Sequence, residues 1–276
     1  MSVYVNYLMH HGIKDQKWYV RRFQNKDGSL TPEGRLRYGV NKRAATITKK
    51  MTNQYGPFRR QVLNYDEVKA RGRLNDAEAK TCIKLANKIF NESYKIEPEI
   101  TKDVVDAVSS TGANMYGLSY RIKQPTSLAA KIGADAKEKS LDFVDAASGI
   151  KDSVRYTSIS SDDSFVSNYN KTKAELEKRG YTETRCKNFF EKYRNGEVQH
   201  KAVQCTYENK DGFEFEIQFQ TPYSQAAKQL KLPLYNERRK AGLSEIRKAQ
   251  LEKEMHDLAE EVPYPKGIEE IKSHNR

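Results

Sequence analysis

The 276-residue chain carries a net charge of +12 and is 37% hydrophobic and 31% charged, a balance that fits a water-soluble protein with a modest core. No run approaches the roughly 20 apolar residues that cross a bilayer, so no membrane insertion is expected, and the start "MSVYVNYLMHHGIKDQKW" has no apolar segment with a cleavage site, so no secretory leader is expected. Three cysteines far apart in sequence (Cys82, Cys186, Cys205) fit neither a disulfide framework nor a zinc spacing and point to a reducing compartment.

Residues 1–50 hold eleven Lys/Arg against three Asp/Glu, a basic arm suited to nucleic acid, an acidic protein surface or a phosphorylated ligand. Turn signals crowd "NKDGSLTPEGR", where Thr31-Pro32-Glu33 reads as a helix cap with a first-turn proline. Residues 40–72 are polar and read as a link. From residue 73 the pattern sharpens. Asn75 caps an amphipathic helix carrying Ala79, Cys82, Ile83, Ala86, Ile89 and Phe90 at three-and-four spacing. "EPEITKDVVDAVSSTG" reads as a second helix closed by Gly112. "MYGLSYRI" reads as a strand and "PTSLAAKIGADAKEKS" as a helix capped by Thr126 or Ser127.

Further on, "KDSVRYTSI" is a β-rich run, and "DDSFVSNYNKTKAELEKRG" a helix ended by Gly180. "YTETRCKNFF", "VQHKAVQCTY" and "FEFEIQFQT" are strands, the last two joined by a turn at "ENKDG". Residues 222 to about 261 are largely helical. The expected fold is therefore α/β (α+β): a mixed sheet of about five strands flanked by helices, with a small basic N-terminal appendage. The expected divisions are 1–60, a basic docking segment; 61–114, a helical lead-in; 115–261, the main domain; and 262–276, a tail.

Two stretches carry chemistry. In "FEFEIQFQT", alternation puts Phe213, Phe215, Ile217 and Phe219 on one face and Glu214, Glu216, Gln218 and Gln220 on the other, facing water or a ligand cleft. In "RIKQPTSLAAK", Arg121 and Lys123 share one side of the expected strand. The helix that follows adds its N-terminal amides, Ser127 and, one turn on, Lys131, a grip suited to a triphosphate. Asp152, three residues before Arg155, and Glu216 supply oxygen ligands of the kind magnesium takes.

The run Arg121-x-Lys123-x-x-x-Ser127-x-x-x-Lys131 resembles the R-x-K-x-x-x-S-x-x-x-K signature of RelA/SpoT-type (p)ppGpp synthetases. "EIQFQT" resembles that family's E-I-Q-I-R-T strand, and "KDSVRYT" falls where its Asp-to-Arg strand belongs, so the likeness covers about residues 115–240. It implies a nucleotidyltransferase-like fold and a Mg2+-dependent transfer of pyrophosphate from ATP to a nucleotide or tRNA acceptor. Arg121, Lys123, Ser127, Lys131, Arg155 and Gln218 would bind nucleotide. Asp152 and Glu216 would hold the metal, and Glu216 would also activate the attacking ribose hydroxyl. The chain departs from the family at three points. Asp152 lies three residues before its arginine rather than five, Gln220 replaces an arginine, and His200 occupies the approximate slot of the tyrosine that stacks on the acceptor.

A second likeness lies in the leader. "HGIKDQKWYVRR" (His11 to Arg22) is similar to an N-terminal segment of proteins from tailed phages of Gram-positive bacteria. It implies a docking peptide anchored by Trp18, Arg21 and Arg22 on phage capsid or portal proteins, and a location in the host bacterial cytoplasm or the virion. Together the two likenesses imply a phage-encoded effector with a RelA/SpoT-like pyrophosphotransferase domain. Two rival readings accompany it: a catalytically idle virion protein, and an ADP-ribosyltransferase-type toxin, which would use NAD and need no Arg121, Lys123 and Lys131 grip.

Overall fold

Alternation in Phe213–Gln220 makes an interior strand. The structure is a computed structural model that describes residues 34, 39–196, 200–238 and 242–275. In it, β5 (Glu214–Gln220) pairs in parallel with β2 (Arg155–Ile159) and antiparallel with β4 (Val203–Glu208). The sheet continues outward through β3 (Thr182–Asn188) on one side and β1 (Asn114–Met115) on the other, and β6 (His274–Asn275) closes the β3 edge. The order is β1-β2-β5-β4-β3-β6, a mixed six-stranded sheet flanked by helices. The α+β expectation holds; two very short edge strands raise the count above five.

The apolar face of β5 is buried, with Phe215, Ile217 and Phe219 at most 3% exposed. Each stabilises the fold by roughly 1.5–3 kcal/mol. They meet α6 (Phe165–Lys178) and the C-terminal half of α3 (Asp76–Ser109). A second core lies between the N-terminal half of α3, α2 (Tyr65–Gly72), α4 (Pro125–Lys139) and α5 (Phe143–Ser148).

Three expectations need correction. The two helices expected across residues 75–112 are one 34-residue helix that runs through Pro98. An interior proline costs about 3 kcal/mol, but Ile100, Val104, Val105 and Val108 beyond it are buried on the core side, which outweighs the cost. Its N-terminus is as expected: Asn75 and Glu78 form a reciprocal capping box.

The strand expected over "MYGLSYRI" breaks at Gly117, whose φ of +68° lies in the left-handed region. Only Asn114–Met115 pairs with β2; Leu118–Tyr120 is a 3-10 turn, and Ile122 makes a single bridge to Val154. Arg121 and Lys123 therefore do not share a strand face. Finally, α4 starts at Pro125, whose fixed φ suits the first helical position, so Thr126 and Ser127 lie inside the first turn rather than capping it.

Helix α1 (Val40–Lys50) buries Val40, Ala44 and Ile47 in the main core against α8 (Pro222–Arg238), where composition alone suggested a polar link. Helix α7 (Phe189–Arg194) follows β3, and α9 (Glu245–Glu260) follows α8. The last residues fold back: Ile268 and Ile271 enter the main core, and Asn188 Nδ2 donates to both of their carbonyls. The leader motif with Trp18, Arg21 and Arg22, and the Thr31-Pro32-Glu33 cap, lie outside the described residues. Among the described residues no helix is long and apolar enough to cross a membrane.

Candidate active site

Where the 3-10 turn delivers the chain to α4, a cleft of about 700 Å³ opens, lined among others by Lys123, Ser127, Lys131, Asp152 and Arg155. Lys123 reaches it because its backbone N–H bonds to Ser153 O at 2.8 Å, holding the two segments side by side. Its Nζ contacts Asp152 Oδ2, Lys131 Nζ lies 2.8 Å from Asp152 Oδ1, and Arg155 approaches Oδ2 at 3.9 Å. Five residues expected to act together from sequence thus share one cleft.

The electrostatics follow from this clamp. Burial pushes the Asp152 carboxyl up, but Lys123 and Lys131 together outweigh it and hold it well below the usual carboxylate range. For Lys123, burial dominates and lowers the amine to about 8, with Asp152 opposing and Lys131 and Arg155 adding to the fall. The same ion pair therefore leaves both partners with lowered values, because desolvation acts in opposite senses on an acid and an amine. The α4 start adds to the field: its cap residue Gln124 makes no side-chain capping bond, and no acidic residue stands in its first turn.

Glu216 is the register partner of Arg155 across the β2–β5 pair, and its N–H bonds to Val154 O. The polar face of β5 is not a solvated surface. Glu216, Gln218 and Gln220 are buried, and Gln218 Nε2 donates to Glu216 Oε1 at 2.5 Å. Gln218 Oε1 in turn accepts from Lys228 Nζ on α8. Burial and Arg155 bring Lys228 down to about 8, with Glu216 opposing.

Beyond this row lies a second cleft of about 520 Å³, whose lining includes His200, Gln204, Gln220, Lys228, Lys231 and Arg238. Tyr235 lines both clefts. His200 packs on Phe189 with ring centroids 4.2 Å apart. Burial, then Lys231 and Lys228, holds its imidazole at about 4, so it is neutral at pH 7. Burial and Lys201 lower Lys231 to about 8. The Gln220 Oε1 atom is buried without a hydrogen-bond partner.

Arg121 is elsewhere. Left in a helical conformation after the turn, it is 3% exposed, ion-paired with Glu97, and donates to Leu118 O and Gly56 O. Tyr55 and Phe58 flank its guanidinium. The expected grip therefore contains Lys123 and Lys131 without Arg121. The sequence reading missed Lys228, Lys231 and Tyr235. Their three-and-four spacing on α8, one face of a helix, was the available signal.

Both carboxylates are oxygen donors of the type a hard divalent cation takes. Asp152 stays ionised, which fits such an ion, although both its oxygens are engaged by lysines in this structure.

No family model matches the chain, and no curated protein matches it. Two solved structures are similar. The complex of the Type VI effector Tas1 with its immunity protein matches at 18% identity over 64% of this chain and 96% of that chain, with a TM-score of 0.40. The small alarmone synthetase 1 from Bacillus subtilis bound to its product pppGpp matches at 16% identity over 51% of this chain and 71% of that chain, with a TM-score of 0.37.

Proposed function

We propose that the chain is a RelA/SpoT-like nucleotidyltransferase, an effector that moves pyrophosphate from ATP to a hydroxyl of a nucleotide or RNA acceptor. The observation that carries this reading is the Asp152 clamp. Two lysines and an arginine converge on one carboxylate, beside a helix start and next to the Arg155–Glu216 register pair.

In this reading the triphosphate takes over Lys123, Lys131 and Arg155, with Ser127 and the first-turn amides of α4 as further donors. Relieved of the lysines, Asp152 would join Glu216 in holding Mg2+, which when bound neutralises phosphate charge. The acceptor enters the second cleft, its base against His200 and Phe189 and its phosphates toward Lys228, Lys231 and Arg238. Glu216 takes the proton of the attacking hydroxyl. The new bond joins that oxygen to the β-phosphorus, the bond from the β-phosphorus to the bridging α-phosphate oxygen breaks, and AMP leaves. Positioning and charge neutralisation supply most of the acceleration in such a transfer. The segment His11 to Arg22, by its likeness to phage proteins, adds a docking peptide for a capsid or portal surface, while Val40–Lys50 belongs to the main core.

The test incubates purified protein with γ-labelled ATP, Mg2+ and a panel of nucleotides and tRNA. Label should pass to an acceptor with one AMP per transfer, and Glu216→Gln should slow both at least about a hundredfold. Loss of NAD without loss of ATP would favour the ADP-ribosyltransferase reading. Turnover of neither, with the protein stoichiometric in purified particles, would favour an idle virion component.

A further inference from the structure

On the sheet face opposite Glu216, three strands contribute one residue each to a single cross-strand row. Cys205 of β4 is the register partner of Cys186 of β3, which is in turn the register partner of His274 of β6. The bond from Phe189 N to Ala202 O marks a hydrogen-bonded pair three steps along, so Cys186 and Cys205 form a non-hydrogen-bonded pair. In such a pair the side chains approach most closely, with Cα atoms about 4.5 Å apart. Between Glu183 and Arg185 the β3 register shifts, and this bulge turns the Glu183 side chain to the same face.

The result is a buried cluster that the sequence spacing did not announce. One ligand atom each from Glu183, Cys186 and His274 lie within 4.8 Å of one another. The Cys205 side chain stands beside that of Cys186 on the same face of the sheet. Both cysteines are at most 1% exposed, as is Glu183. His274 Nε2 faces Glu183 Oε1 at 3.5 Å yet is buried without a hydrogen bond.

We propose that Glu183, Cys186 and His274 bind one zinc-class divalent cation, with Cys205, the register partner of Cys186, moving in as the fourth ligand, so that the ion fastens the C-terminal strand to the sheet. Two sulfurs, an imidazole nitrogen and a carboxylate oxygen match the donor preference and coordination number of structural zinc. The surroundings suit such a site. Tyr207 Oη donates to Glu183 Oε2 at 2.8 Å, orienting the carboxylate from behind as outer-shell partners do, and Tyr169 Oη straddles the carboxylate at 3.1 Å from Oε1 and 3.2 Å from Oε2. Lys173 Nζ lies 2.9 Å from Oε1, the oxygen beside His274. Its side chain is 26% exposed, so it has a path to swing toward solvent when the cation takes that oxygen. The proposal is independent of the nucleotide reading, since the row lies on the other face of the sheet.

The test titrates the full chain, reduced with a non-thiol reductant and stripped by chelator, with Co2+ and then Zn2+. One equivalent of Co2+ should bring thiolate-to-cobalt charge-transfer absorption and tetrahedral d–d bands, and one equivalent of Zn2+ should abolish both and raise Tm. Cys186→Ser and His274→Ala should each lose the bands. His274 is partly exposed, so its variant tests the site without disturbing the core as a cysteine change does; circular dichroism checks that both are folded. Absence of the bands in the wild type would overturn the proposal. So would their survival in folded His274→Ala and Cys186→Ser, which would locate the metal elsewhere, such as at His10 and His11.

Discussion

Arg155 and Glu216 stand opposite each other across the parallel β2–β5 pair, the arginine leaning toward Asp152 and the glutamate held by Gln218. The charges of the two clefts meet at this pair, because Lys228 on α8 senses both residues. On the proposed chemistry, Glu216→Gln keeps shape and removes the base. Turnover should fall about 10²–10⁴-fold, with ATP retained in equilibrium binding and Tm little changed. A variant with unchanged turnover would remove Glu216 from the mechanism.

Lys123→Ala should weaken ATP binding by at least tenfold and leave Asp152 exposed to fewer cations. Isothermal titration with a non-hydrolysable ATP analogue measures it. The double variant Lys123→Ala/Asp152→Asn should fold better than the lysine variant alone, since there the half-buried Asp152 charge keeps Lys131 but loses the lysine on its other oxygen.

The pH dependence has a definite sign. Lys123, Lys228 and Lys231 are lowered to about 8 in the fold against about 10.4 unfolded. Between those values the unfolded chain binds more protons, so these lysines make stability rise with pH there. ATP affinity should do the reverse and fall as pH rises through 8, because deprotonation removes the phosphate-binding charge. Asp152, lowered in the fold, contributes stability above about pH 4 that is lost as pH falls below it. Denaturant melts and analogue titrations at matched pH values check both arms.

His200 should stay neutral from pH 5 to 8, visible as flat imidazole proton shifts in NMR over that range. His200→Ala should raise the KM for the acceptor without changing that for ATP. Equal effects on both substrates would break the division into two clefts.

Arg121→Ala should cost roughly 3–5 kcal/mol of stability by leaving Glu97 buried and unpaired. The folded protein should keep its ATP affinity, as chemical denaturation and binding measured below the transition would show. A specific loss of ATP binding with stability intact would return Arg121 to the nucleotide grip.

Local periodicity made much of the fold legible. The alternation in β5, the Asn75 capping box and the apolar stripes of α3 and α6 are encoded within a few residues, and the sheet and its helices formed accordingly. The R-x-K spacing predicted a shared direction for Arg121 and Lys123, but a left-handed glycine four residues earlier turned the backbone and sent the arginine to Glu97. The second helix expected from "EPEITKDVVDAVSSTG" is continuous with the first through Pro98, because the apolar side chains beyond the proline are buried.

Sequence alone therefore determined which residues are basic, acidic or apolar, and which local faces they occupy. Tertiary structure decided which faces meet. Asp152 gained its lysines, Glu216 its arginine, and Cys186 its row with Cys205 and His274 through strand register and helix packing across tens of residues. Such long-range contacts are set by the burial of whole elements, and no local pattern along the chain specifies them.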